Sequence, residues 1–252
     1  MPLDIEETIQ IHFSSRYANN YVNGSFSNCE FFLPVIEVPP QHQIYISCIS
    51  ASIPYTFYNI DINNNYIEYY IDTTLYNFTI TPGNYNAYQL RDYLKNQLGS
   101  NFNVTYDVIT NKFTFTHVSM NFGFNTENST ALELIGFKKS LFVIQSVDRT
   151  LTSDFCVNLL SKHCLCVALN CTTGNINYSN KLTNNILVSI PIKGNPYSMI
   201  TYENTNAYKA NLYKNSLTYI KIKIVDQNNN IVDLNGCHWT MTFQLDIVKF
   251  VE

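Results

Sequence analysis

The chain has 252 residues and a formal net charge of −4, and its 46% hydrophobic content is enough for a sizeable core in the size range of all-β sandwiches. Charged residues make up only 13%, about half the usual share. With Lys138-Lys139 as the only adjacent basic pair, there is no electrostatic footprint for a nucleic-acid backbone, so nucleic-acid binding is not expected.

The start, MPLDIEET, is acidic and has no apolar core of a signal peptide. Ile9, Ile11 and Phe13 then alternate with Gln10 and His12 as a first strand, and a segment rich in Asn, Ser and Tyr follows to Phe31. FFLPVIEVPPQ carries Pro34, Pro39 and Pro40, which confine it to an edge or a strand start. From Ile44 the run IYISCISASIPYTFYNI is apolar on both faces, as in a strand covered on both sides. Asn63-Asn64-Asn65 reads as a hairpin turn after it, because Asn tolerates left-handed backbone better than any residue but Gly. With 34 Asn against 8 Gly, Asn is expected to supply many of the tight turns.

Tyr76, Phe78 and Ile80 form a strand that leads through Pro82-Gly83-Asn84 into the one convincing helix. Ala87, Leu90, Leu94 and Leu98 place an apolar stripe on one face of it. Asn86 and Gln89 have the spacing of a capping box, and Gly99 stands where a left-handed C-cap would end a helix of about four turns. Residues 102–109 and 112–118 pattern as a hairpin around Thr110-Asn111, and STALELIGF as a helical turn ended by Gly136.

Strands are expected again at 155–160, 164–169 and 186–192, with long polar connections at 170–185 and 193–216. Lys221 and Lys223 alternate with Ile220, Ile222 and Ile224, and the Gln227 to Asn230 turn follows. The last strand has the cleanest pattern: Trp239, Met241, Phe243, Leu245 and Ile247 face inward, and His238, Thr240, Thr242, Gln244 and Asp246 face water or a partner. About ten long strands and one helix in a connection predict an all-β fold, a jelly-roll β-sandwich of two antiparallel sheets.

No constellation for catalysis emerges. The five His (12, 42, 117, 163, 238) are scattered, and G-x-S-x-G, H-E-x-x-H and P-loop patterns are missing. Seven Cys are an odd number in a chain expected to be intracellular and soluble, so they read as reduced thiols. Cys164, Cys166 and Cys171 lack zinc-ribbon spacing, and strand alternation explains Cys164, Cys166 and Ala168. Asp61/Asn63/Asn65 and Asp226/Asn228/Asn230 open like calcium loops, but Tyr66 and Ile231 occupy the sixth place that needs Gly. N-x-S/T sequons, such as that at Asn177, occur at about the chance level. No stretch is apolar enough for a membrane span: 155–171 is broken by Asn158, Lys162 and His163. The expectation is therefore no catalytic residues, no cofactor and no metal.

The succession IYISCISASIPYTFYNI, FTITPGNYNAYQLRDYL, NKFTFTH and LELIGF, ending in LTYIKIKIVDQNNNIVDLNGCHWTMTFQLDIV, resembles the minor capsid, or penton, proteins of virophages, Polinton-like viruses and related large DNA viruses. Asn230 stands where such sequences often have Gly. The resemblance spans Ile44 to Val248 and implies a non-enzymatic structural protein of the virion. Such a protein is a homopentamer that closes icosahedral vertices among double-jelly-roll major capsid proteins, after a passage through the host cytoplasm during assembly. An N-terminal strand or arm over 1–30 and a single jelly-roll domain over 31–252 are expected. The alternative is a glycan- or receptor-binding jelly-roll head of a viral fibre, served by aromatic residues from Tyr197 to Tyr213.

Overall fold

The structure, a computed structural model, describes residues 5–173, 185–206, 208–212 and 216–249. The chain forms two compact units, Met1–Phe57 with Lys162–Glu252, and Tyr58–Ser161. The second unit is inserted in sequence between the two stretches of the first and has a core of its own.

The discontinuous unit opens with β1 (Ile5–Ser14), β2 (Asn20–Tyr21), β3 (Asn28–Glu37) and β4 (His42–Pro54). The insertion holds β5 (Tyr66–Ile71), β6 (Thr74–Thr79), α1 (Ala87–Leu98), β7 (Phe102–Asp107), β8 (Lys112–His117), β9 (Phe122–Phe124), α2 (Leu132–Ile135), β10 (Ile144–Gln145) and β11 (Thr150–Thr152). The chain then returns to the first unit with β12 (Cys164–Leu169), β13 (Thr172–Thr173), β14 (Ile186–Pro191), β15 (Met199–Glu203), β16 (Ala210–Leu212), β17 (Ser216–Val225) and β18 (Thr240–Lys249).

In the discontinuous unit, one sheet runs β1-β18-β4 and then β15 and β16, both of which pair with β4. The other runs β14-β12-β17-β3-β2. If β15 and β16 count as one interrupted strand, and β2 and β13 are set aside as short edge pieces, eight strands remain. Their sheet orders are 1-8-3-6 and 5-4-7-2, the jelly roll, reached with every ladder antiparallel. The two inner faces share one core, in which Trp239 is fully buried beside Phe31, and Phe13 packs on Phe31 and Phe243 with ring centroids 4.9 and 5.3 Å apart. Trp239, Met241, Phe243, Leu245 and Ile247 all point into it, as their alternation requires.

The N-terminal segment, expected as a strand or arm, contributes a strand to the sheet. β1 pairs with β18 from Ile5↔Val248 to Ser14↔Thr240, and Phe13 and Cys29 are buried in the core. At the start of β1, His42 spans two acceptors: Nδ1 donates to the Pro40 carbonyl and Nε2 to the Glu6 carboxylate, both at 2.8 Å. The carbonyl first, and then the carboxylate, raise the His42 pKa above its ordinary value.

The inserted unit packs α1 and two small sheets, β10-β9-β5-β6 and β11-β8-β7, around a core dense in aromatic rings, including Phe102, Phe113, Phe115, Phe122, Phe124 and Phe137. Leu90, Leu94 and Leu98 form the buried stripe of α1, the longest helix among the described residues. Its capping box is complete, with Gln89 N donating to Asn86 Oδ1 at 2.9 Å and Asn86 N to Gln89 Oε1 at 3.0 Å. Gly99 ends the helix at φ 83 and ψ −179, a positive-φ conformation other than the predicted left-handed cap. Gly136 does adopt that cap, at φ 103 and ψ 16, and a Cβ there would collide with the Phe155 carbonyl.

Three further readings are corrected. Residues 155–160 are irregular rather than a strand, and β15 and β16 lie inside what reads as a polar connection. Asn63 to Asn65 do not close a hairpin: the strands on either side of this turn, β4 and β5, belong to different sheets.

Candidate functional site: the flanks of the sandwich

The residues singled out as ligands or nucleophiles are held apart by the fold. Asp61 Oδ1 accepts from Asn63 N, and Asp226 Oδ1 accepts from Asn228 N and Asn230 N, so both acidic turns spend their carboxylates on their own backbone. No group of three or more His, Cys, Asp or Glu arranged for a metal occurs among the described residues. His12 contacts Thr242, His42 meets Glu6, and His117 Nδ1 accepts from Met120 N, each at a different place. Asn177 and Tyr213 lie outside the described residues.

Two pairs do come together. Cys164 and Cys166 share the face of β12 away from the core, with their sulfurs 3.8 Å apart, while Cys171 is buried in the core. Burial first, and then the neighbouring Cys164, push the Cys166 thiol up to about 12, which removes thiolate character at neutral pH. Cys164, Cys166 and Cys171 should accordingly stay reduced and metal-free. Stoichiometric zinc by elemental analysis, or loss of two free thiols on titration of freshly purified protein, would contradict this.

The second pair is Ser15 and His238, with Ser15 Oγ 3.0 Å from His238 Nδ1. Ser15 is fully buried and accepts the Trp239 backbone N–H at 3.0 Å, while the His238 ring stacks on Phe26. A nucleophile needs an open side for its substrate and a third group to orient the base. Here the serine is sealed and no carboxylate bonds His238 among the described residues, so the pair ties the first strand to the last.

Asp246 lies on the face of β18 expected to meet water, yet it is fully buried. Lys209 Nζ lies 2.6 Å from Oδ2, and Thr8 Oγ1 donates to Oδ1 at 2.7 Å; the Gln244 amide contacts both oxygens. Burial pulls the Asp246 pKa upward, but the hydrogen bonds from Lys209, Thr8 and Gln244 outweigh it and hold the pKa below the ordinary carboxylate value. Such a depressed carboxylate adds stability that is complete above the unfolded pKa of about 3.9 and is lost as pH falls through the folded value. Lys209→Met should therefore cost roughly 3 kcal/mol at pH 7, near the low end for breaking a buried pair because Lys209 keeps some water contact. The gap between variant and parent should narrow in acid. Urea titrations from pH 7 to pH 3 test this, and equal stability at pH 7, or a gap that stays constant, would refute it.

What remains open is the two flanks of the sandwich. At one, β1 and β3 part around a cleft of about 460 Å³ lined by Ile11, Phe13, Phe31, Phe32 and Leu33, with the exposed ring of Tyr17 at its mouth. Val35 is exposed further along β3, and Phe32 is 66% exposed. At the other, β14 and β15 flank a cleft of about 300 Å³ whose lining includes Leu187, Val188, Ser189, Tyr202, Glu203 and Asn204. The two flanks are unlike in shape and chemistry, the first mainly apolar and the second mainly polar.

No helix among the described residues is long and apolar enough to cross a membrane. Comparison with known proteins found no family profile and no curated protein that matches the sequence. Among solved structures, the chain is similar to the crystal structure of the mavirus penton protein, with a TM-score of 0.49 and 9% identity over 96% of this chain and 100% of that one.

Proposed function

We propose that this chain is a non-enzymatic penton, or minor capsid, protein of the virion, a homopentamer that occupies icosahedral vertices and contacts a double-jelly-roll major capsid protein. The observation that carries the reading is the strand order 1-8-3-6 over 5-4-7-2, an architecture used by viral capsid proteins, in a chain whose segments from Ile44 to Val248 follow the penton-like succession. A closed ring of identical subunits needs a heterologous contact in which two unlike surfaces meet. The apolar β1–β3 flank, with Tyr17 and Phe32 exposed in a surface of low charge, supports one half of such a contact.

Light scattering coupled to size exclusion tests the assembly directly. Five copies of the 29.0-kDa chain are expected, alone or after co-expression with the major capsid protein. A trimer would favour the fibre-head alternative, and a monomer under both conditions would overturn the reading.

A further inference from the structure

We propose that the free edge of β1 binds an extended segment of a partner protein as an added strand, with the segment's inward side chains in the apolar cleft between β1 and β3. β1 is a ten-residue strand at the end of its sheet, paired with β18 on one side only. Ser15 N–H donates to the Trp239 carbonyl at 3.0 Å, and the two strands stay in step from Ser14↔Thr240 back to Glu7↔Ile247. Such pairing alternates, so the odd-numbered residues exchange bonds with β18, and Thr8, Gln10 and His12 turn their N–H and C=O groups away from it. Those groups have no partner among the described residues.

The side chains leave this edge uncovered. Thr8 bonds Asp246 and His12 contacts Thr242, so both lie across β18 rather than over the free side. From Thr8 to Ser14 the strand has no Asp, Glu, Lys or Arg, no Pro and no register shift, the devices that usually close an edge. The neighbouring edge of β3 is closed: β2 covers its first residues, Asn19 Oδ1 takes the Phe32 N–H at 2.8 Å, and Pro34 has no N–H to give. An incoming strand therefore adds to β1. Its chemistry follows from the edge. A row of alternating donors and acceptors is matched by extended backbone, and the cleft of about 460 Å³ beside it, lined by Ile11, Phe31 and Leu33, receives apolar side chains at alternate positions. Glu7 is exposed at the start of the strand and has no ion pair among the described residues, which favours a basic residue at that end of the segment. The site shares its flank with the vertex reading but does not depend on it, since an open edge belongs to one chain.

The test is fluorescence anisotropy of the full-length chain with a labelled eight-residue peptide that alternates Val and Thr and ends in Lys. Two further peptides carry N-methyl groups on alternate amides, in one register or the other. The parent should bind the unmethylated peptide saturably. One methylated form should lose at least about tenfold, because its methyl groups face β1, and the other should bind nearly as well. Gln10→Pro removes an N–H that the β18 ladder does not use, so it should melt within a few degrees of the parent and also lose at least about tenfold. No saturable binding, equal effects of the two methylation registers, or full binding by a folded Gln10→Pro chain would overturn the proposal; if that variant unfolds, the methylated peptides on the parent decide it. Light scattering of the same samples keeps the two readings apart: pentamers that bind no peptide leave the capsomer reading standing, and a peptide-binding monomer leaves only the strand site.

Discussion

In a chain lacking residues 1–30, the discontinuous unit is expected not to reach a cooperatively folded state. The truncation removes all of β1, the edge strand that pairs with β18 over nearly its whole length, together with β2 and the first turn of pairing in β3. It strips Phe13 and Cys29 from the core and exposes one side of Phe243, which packs on the Phe13 ring. Two locks go with it: the Glu6 carboxylate that holds His42, and Ser15, which caps the Trp239 N–H and bonds His238. Loss of one large buried ring alone costs about 3 to 5 kcal/mol, and whole-domain stabilities are about 5 to 15 kcal/mol, so the remainder of this unit lies near or below the folding threshold. Far-UV circular dichroism and a thermal scan on the truncated chain would decide the matter. A cooperative transition within a few degrees of the parent would show that β1 is dispensable and that the segment is an arm. The inserted unit has its own core, so a residual transition from residues 58–161 is compatible with the prediction.

Trp239→Ala should destabilise the discontinuous unit by about 3 to 5 kcal/mol, the range for truncating a large buried aromatic side chain. The ring is fully buried between the sheets, edge-on to Phe31. Its indole N–H donates to the Phe26 carbonyl at 2.7 Å, so truncation leaves that carbonyl with only the weaker bond from the Cys29 thiol at 3.0 Å. Trp239→Phe should cost less, since it keeps most of the volume. The chain has a single Trp, so fluorescence of the parent reports on this unit alone, while circular dichroism must follow the variants. A shift in the urea midpoint corresponding to less than about 1 kcal/mol would mean that the inner layer repacks freely around the gap, against the dense packing expected of such a core.

The elements that could be read from sequence are those whose signal is local. The capping box at Asn86 and Gln89 and the stripe of Leu90, Leu94 and Leu98 specify α1 without reference to the rest of the chain. Alternation from Trp239 to Ile247 settles which side chains of the last strand are buried, because a one-residue slip would expose all of them at once. The turns at Asp226 to Asn230 and at Asn111 follow from side chains that bond their own backbone or tolerate positive φ.

Alternation gives a face but no partner, and everything that depends on partner choice was decided by tertiary structure. The alternation of Ile9, Ile11 and Phe13 fits an arm as well as an edge strand; only pairing with β18, at the far end of the chain, makes β1 part of the core. A strand that enters a second core has the same period as one that stays in the first, so the inserted unit left no mark at Tyr58 or Ser161. Asp246 sits at a polar position of its strand, and its burial follows from Lys209 and Thr8 reaching it from distant elements. The cleft by Leu187 and Tyr202 exists because β14 and β15 belong to different sheets that end side by side, a fact of topology that no stretch of residues carries alone.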